Sequence, residues 1–145
     1  MIRDMVREDK EIFMAMGREF YSSDAVAQGV DERVIEATFE TAVSRPEFLR
    51  AYIIEDDDKP VGFGLLSFYY ATEVGGLVVV LEDLYLDKTC RGKGLGTKFL
   101  QFMEQGYPEA KRFHLEVTKE NTRAIDLYKK QGYKLLEYVQ MVKDV

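Results

Sequence analysis

From Leu77 to Gly106 the chain runs Leu-Val-Val-Val-Leu-Glu-Asp-Leu-Tyr-Leu, then Asp-Lys-Thr-Cys-Arg-Gly-Lys-Gly-Leu-Gly, then Thr-Lys-Phe-Leu-Gln-Phe-Met-Glu-Gln-Gly. The first block is rich in β-branched and apolar residues and reads as a long, well-covered strand. Gly94–Gly106 carries Leu95, Phe99, Phe102 and Met103 on one stripe at helical spacing. Between strand and helix lie three alternate glycines, Gly92, Gly94 and Gly96. A long strand feeding a helix through so short a loop requires a sheet with helices layered on it.

The remaining elements fit that requirement. Ile2–Val6 can form a short strand. A helix capped by Asp9 or its neighbours runs to about Tyr21, with Ile12, Phe13, Met16 and Phe20 on one face. Small and polar residues from Ser22 to Gly29 make a loop. Asp31 starts a second helix, bearing Ile35, Thr38, Phe39 and Ala42, that ends near Ser44 ahead of Pro46. Leu49–Glu55 and Pro60–Tyr70 read as strands joined by a solvated turn at Asp56-Asp57-Asp58-Lys59. Gly75-Gly76 opens the strand Leu77–Leu86. Phe113–Val117 is a further strand, and Asn121–Gln131 a helix with Asn121 as N-cap and Gly132 as its C′ residue. Two last strands are expected at Tyr133–Tyr138 and Val139–Lys143. The expectation is an α/β (α+β) layer fold, a mixed and mostly antiparallel sheet flanked by about four helices, with residues 1–145 as one domain.

Several functions are disfavoured by composition. The 20 Lys+Arg against 26 Asp+Glu leave a net charge of −6, which argues against nucleic-acid or anionic-membrane partners. One cysteine, Cys90, allows no internal disulfide and suits a reducing, cytoplasmic setting. One histidine, His114, with one cysteine makes no Cys/His zinc site, so no metal is expected. The charged start, Met-Ile-Arg-Asp-Met-Val-Arg-Glu-Asp-Lys, is not a signal peptide, and the apolar run Leu77–Leu81 is too short to span a bilayer.

The glycine loop is where chemistry is expected. Glycine lets backbone approach a ligand, and the free N–H groups of a first helical turn, with the helix dipole, suit an anion such as phosphate. Arg91 and Lys93 can add positive charge. The Walker pattern GxxxxGK[ST] is absent, and GxGxxG fails because residue 97 is Thr. About 50 residues follow the loop, too few for a doubly wound nucleotide fold. On spacing alone the loop is either an anion cradle or a plain glycine-rich turn.

Arg91-Gly92-Lys93-Gly94-Leu95-Gly96 resembles the R/Q-x-x-G-x-G/A signature of the GNAT N-acetyltransferase superfamily. Asn121-Thr122-Arg123-Ala124-Ile125-Asp126-Leu127-Tyr128-Lys129-Lys130-Gln131-Gly132-Tyr133 resembles that family's second motif, N-x-x-A-x-x-x-Y-x-x-x-G-F/Y. The likeness is strongest over residues 77–140 and extends to the whole chain by element order. It implies a fold with two helices after the first strand and a central strand that splays from its neighbour. It also implies acetyl-CoA as cosubstrate. Arg91, Gly92, Lys93, Gly94, Leu95 and Gly96, with Thr97, would hold the pyrophosphate. The backbone of Leu84, Tyr85 and Leu86 would pair with the pantetheine arm and polarise the thioester carbonyl. Asn121 would contact the same arm, and Tyr128 would protonate the leaving thiolate. The acceptor implied is a small-molecule primary amine attacking directly in a ternary complex. A homodimer is in keeping with the likeness.

An amine with a pKa of about 10 must lose a proton before it attacks, and a carboxylate can take it. Glu82 and Asp83 interrupt the long strand, and strict alternation puts them on opposite faces. Glu82 is the first candidate base or amine-binding group and Asp83 the second, as in the diamine acetyltransferase-like branch that Glu-Asp resembles here. The alternative is a structural carboxylate. Tyr128 could equally be a core aromatic, and Tyr69 and Tyr70 could line an acceptor pocket or pack. Tyr21, Ser22 and Ser23 are candidate acceptor contacts, while His114 and Cys90 are expected to be bystanders. A non-catalytic CoA-binding sensor is the competing function, and a phosphate-binding module for another nucleotide the third.

Overall fold

The computed structural model describes residues 1–145. It holds β1 (Ile2–Asp4), α1 (Lys10–Tyr21), α2 (Glu32–Ser44), β2 (Leu49–Asp56), β3 (Lys59–Ala71), β4 (Gly76–Leu86), α3 (Leu95–Gly106), β5 (Arg112–Leu115) and α4 (Thr122–Lys130). Short 3-10 turns at Arg7–Asp9 and Lys88–Cys90 lead towards α1 and α3. The five strands follow chain order across the sheet. The first three pairings are antiparallel, and β4–β5 is parallel. The expected mixed, mostly antiparallel sheet with four helices is what forms.

Two apolar layers hold it together. On one face Phe13 and Phe20 of α1 and Ile35 and Phe39 of α2 pack on Ile53, Phe63, Leu65 and Tyr85. On the other, Phe99, Leu100 and Met103 of α3 pack on Tyr52, Ile54, Leu66, Val79 and Leu81. Gly64 explains how Phe99 becomes fully buried. A Cβ there would lie 2.0 Å from the ring, so only glycine lets it rest on β3. Asp31 caps α2 by accepting from the Arg33 N–H, and Asn121 caps α4 by accepting from the Ala124 N–H. Gly132 has φ +91°, as a left-handed C′ residue requires. The β2–β3 turn puts Asp57 and Asp58 at positive φ, the twist a tight hairpin needs.

Three sequence expectations need correction. Ile12 is exposed, and Met14 takes its place on the inner face of α1. Asp9 precedes α1 but does not cap it; its carboxylate accepts from Arg3 and from the Val6 N–H. The strands expected at Tyr133–Tyr138 and Val139–Lys143 do not form. A strand exists only through a ladder, and residues 134–145 make no backbone hydrogen bond. No helix is long and apolar enough to cross a membrane.

Two features of β4 create a cleft. Its ladder with β5 covers only Val78–Leu81 against Arg112–Leu115. Beyond Leu81 the strands part, so β4 runs on to Leu86 with its β5-side backbone edge unpaired. At the parting point the pairing with β3 slips: Leu66 faces Leu81 while Leu65 faces Asp83. Glu82 is therefore the extra residue of a β-bulge, a device that re-aims side chains.

Candidate active site

The loop between β4 and α3 leaves a cradle of backbone donors open that could hold an anion. Gly92 and Gly94 have φ +82° and +77°, where side-chain-bearing residues are strained. Neither has another atom near its missing Cβ, so the loop backbone lies open. None of the backbone N–H groups from Gly92 to Thr97 donates to an acceptor in the chain. The helix dipole of α3 adds to their field. Gly96 serves differently. Its φ is ordinary, and a Cβ there would meet Leu127 of α4 at 3.0 Å, so this glycine seats α4 beside α3. Lys93 is held 2.7 Å from Asp56 of the β2–β3 hairpin, and Arg91 donates from Nε to the Leu86 carbonyl at 3.4 Å. Both side chains are exposed beside the cradle. A pyrophosphate fits these donors.

From the cradle the unpaired edge of β4 leads to a cleft lined by Leu81, Glu82, Asp83 and Leu84, and by Glu116, Asn121, Ala124 and Tyr128 on the far wall. The bulge changes what alternation implies. Leu81 and Leu84 both pack in the α3 layer, so the two residues between them face the other way together. Glu82 and Asp83 are thus on the same side, not on opposite faces. Glu82 is exposed and accepts a hydrogen bond from the Ser67 hydroxyl. Asp83 is half-buried and accepts from the Tyr21 hydroxyl at 2.5 Å.

The two carboxylates differ electrostatically for that reason. Burial pushes the Asp83 carboxyl up to about 6; the Tyr21 hydrogen bond opposes the rise and the Glu82 charge adds to it. Tyr21 is itself driven far above the ordinary phenol range, by burial first and then by the Asp83 charge and hydrogen bond. Tyr128 is pushed up to about 12, by burial and then by Asp83. Its hydroxyl has no hydrogen-bond partner in the chain, so it presents an undissociated O–H to the cleft.

Residues 11–133 match the family model described as Acetyltransferase (GNAT) family. The chain belongs to that family. It is 36% identical over 74 residues to the thialysine N-epsilon-acetyltransferase of Sus scrofa, which spans 50% of this chain and 43% of the relative. It is 30% identical over 82 residues to the peptidyl-lysine N-acetyltransferase YjaB of Salmonella typhimurium, spanning 57% of this chain and 48% of that protein. The matches thus span less than half the length of either relative. The fold superposes on AAC(6')-Iy, solved in complex with the bisubstrate analogue CoA-S-monomethyl-acetylneamine. The TM-score is 0.82, with 17% identity and coverage of 100% of this chain and 97% of that one.

Within this GNAT domain, Glu82, Asp83, Leu84, Asn121 and Tyr128 share one cleft. Arg91, Gly92, Lys93, Gly94, Leu95, Gly96 and Thr97 form the cradle beyond it, although Leu95 and Gly96 are buried and turn only backbone towards it. Tyr85 reaches the region only through its main chain. Its ring stacks on Phe63 in the α1 layer, and its hydroxyl donates to Glu19 at 2.8 Å. Leu86 is half-buried in the α3 layer. The Asn121 side chain is partly committed to its cap. Of the bystanders, Cys90 is buried beneath the loop, and His114 contacts Tyr69 through Nδ1 at 3.2 Å, away from the cleft. Glu116 was missed. It follows Leu115, the partner of Leu81, which brings it opposite the bulge. Only the parallel register reveals that third carboxylate.

Proposed function

We propose that the protein transfers an acetyl group from acetyl-CoA to a primary amine of a small molecule, by direct attack in a ternary complex. One observation carries this reading: an open cradle of unpaired N–H groups continues, along an unpaired strand edge, into a cleft holding a raised carboxyl and an undissociated tyrosine. Bound acetyl-CoA supplies the activated acyl carbon. Around it, the chain's own groups have separate tasks. The Gly92–Thr97 amides hold the pyrophosphate. The free edge of β4 orients the cofactor arm and donates to the acyl oxygen as charge develops there. Glu82 and Glu116 attract the cationic acceptor. Asp83, ionised above about pH 6, takes the proton that the ammonium must shed, directly or through water. Tyr128 gives its O–H proton to the departing sulfur.

A small acceptor is favoured by three carboxylates crowding one narrow cleft, and by the relative named for thialysine, itself a small amine. A cytoplasmic setting and a homodimer belong to the same reading, with residues 1–145 acting as a single domain.

The test is thiol release from acetyl-CoA across a panel of amines. Amine-dependent release that falls on the order of 100-fold in Tyr128→Phe, with KM for acetyl-CoA nearly unchanged, supports the proposal. Thermal stabilisation by CoA with no release on any amine would make the domain a CoA-binding sensor. Stabilisation by ATP or NAD but not by CoA would assign the cradle to another nucleotide.

A further inference from the structure

Helix α1 ends on a tyrosine whose hydroxyl reaches Asp83. The helix stops at Tyr21, and the next two residues spend their hydroxyls on its last carbonyls. Ser22 donates to the carbonyls of Arg18 and Glu19 at 2.8 and 3.1 Å, and Ser23 to that of Phe20 at 2.6 Å. Both hydroxyl protons are thus committed to fixing the end of the helix. The Tyr21 ring is fixed as well. It is buried, it meets Phe20 edge-on with centroids 5.0 Å apart, and Gly17, one turn earlier, makes room for it. A Cβ at Gly17 would lie 2.8 Å from Ile35 and 3.7 Å from the Tyr21 ring, so glycine there lets α1, α2 and the ring close up.

From this seat the Tyr21 hydroxyl donates to Oδ2 of Asp83 at 2.5 Å. It is the only hydrogen-bond partner the Asp83 side chain has within the chain, and Oδ1 has none. Asp83 has need of such a restraint. It sits beside the register slip of β4, opposite the apolar Leu65 of β3. No lysine, arginine or histidine lines the cleft. The other polar groups there are Glu82 on β4, Glu116 beyond β5, Asn121 at the cap of α4 and Tyr128 within it. On the α1 side, Tyr85 gives its proton to Glu19 instead. Tyr21 is therefore the one side chain that favours the charged form of Asp83.

We propose that Tyr21 is a positioning residue for the base: its hydroxyl holds Oδ2 of Asp83 so that Oδ1 faces the acceptor ammonium. This rests on the acetyl-transfer reading above, in which Asp83 takes the proton. Tyr21 is no base itself. Burial and then Asp83 drive its hydroxyl far above the ordinary phenol range, so it stays protonated and donates throughout the working pH range. Burial lifts the Asp83 carboxyl, and the Tyr21 hydrogen bond pulls it back towards the ordinary range. The same bond thus does two things. It stops the carboxylate from rotating, and it keeps enough of it ionised near neutrality to accept a proton.

The experiment is Tyr21→Phe, which removes the hydroxyl and keeps the buried ring. Two quantities are measured: the NMR titration of the Asp83 carboxyl in the free protein, and kcat and KM for the amine across the pH range. A hydrogen bond to a charged group is equivalent to about one to two pH units, so the variant's carboxyl titrates higher than that of wild type by about that much. At pH 7 kcat falls roughly twofold to tenfold and is recovered near pH 9, with KM for the amine unchanged. In an Asp83→Asn background Tyr21→Phe adds no further loss, because no carboxylate is left to hold. A titration that stays in place or moves down overturns the proposal. So does a higher KM for the amine with the acid limb unmoved, which makes Tyr21 an acceptor contact. Failure of the acetyl-transfer reading shows differently: wild type then releases no thiol on any amine, whatever the titration does.

Discussion

Replacing Asp83 with Asn tests the electrostatics of the cleft. Asparagine keeps the shape and still accepts from the Tyr21 hydroxyl, but it carries no charge. The Asp83 carboxyl rises from the ordinary 3.8 to about 6 because folding buries it. A raised carboxyl binds its proton more tightly in the folded state than in the unfolded one. Stability is therefore full below the unfolded value and declines as pH rises through about 6. With 1.36 kcal/mol per unit, a rise of about two units costs the wild-type fold about 3 kcal/mol at pH 8. By pH 5, where much of the folded population is still protonated, the cost is about half as large. The Asn variant has no such cost. Urea unfolding at pH 5, 6, 7 and 8 should show the variant more stable than wild type, with a gap that widens as pH rises. A gap that is flat with pH would mean that Asp83 ionises as an ordinary surface carboxylate, and the burial argument fails.

The same variant separates the two candidate bases. If Asp83 takes the proton, kcat at saturating amine rises through an acid limb near pH 6 in wild type. In Asp83→Asn the limb disappears and kcat falls on the order of 100-fold. An Asn variant that keeps the limb puts the base elsewhere, with Glu82→Gln and Glu116→Gln the next substitutions to measure.

The other predictions concern packing and the cofactor cradle. Gly64→Ala drives a methyl into the Phe99 ring and should cost about 1–3 kcal/mol by thermal or urea unfolding. A smaller side chain at the clash, as in Phe99→Leu, should restore part of that loss in the double variant. Lys93→Ala should raise KM for acetyl-CoA severalfold and weaken its dependence on salt. Asp56→Asn, which frees Lys93 from its 2.7 Å partner, should lower KM; equal KM values for the two variants would show that Lys93 does not meet the cofactor.

The readable parts of the sequence were those governed by neighbours in the chain. Asp31 and Asn121 announce helix starts because a cap acts over two or three residues. Gly92 and Gly94 announce the open loop because positive φ is a property of single residues. Long-range pairing was less legible. Tyr21 lies 62 residues from Asp83, and no local pattern links them. The late strands failed for a related reason: their residues have the composition of strands, but composition does not name the edge to which a strand belongs.

The bulge has the largest consequence. Period-two reasoning assumes one residue for each step along the partner strand, and Glu82 breaks that assumption without any compositional sign. One inserted residue moves both carboxylates to the same side of the sheet. There Ser67 holds Glu82 at the exposed rim, and Tyr21 holds Asp83 in the half-buried interior. Burial then raises the inner carboxyl towards the pH at which a base must exchange protons. In the proposed mechanism Asp83 therefore takes the base role and Glu82 the amine-binding one. Glu82 is the first candidate by sequence and Asp83 the second, but the backbone slip that leaves Glu82 exposed sets Asp83 beside Tyr21, where burial raises its carboxyl.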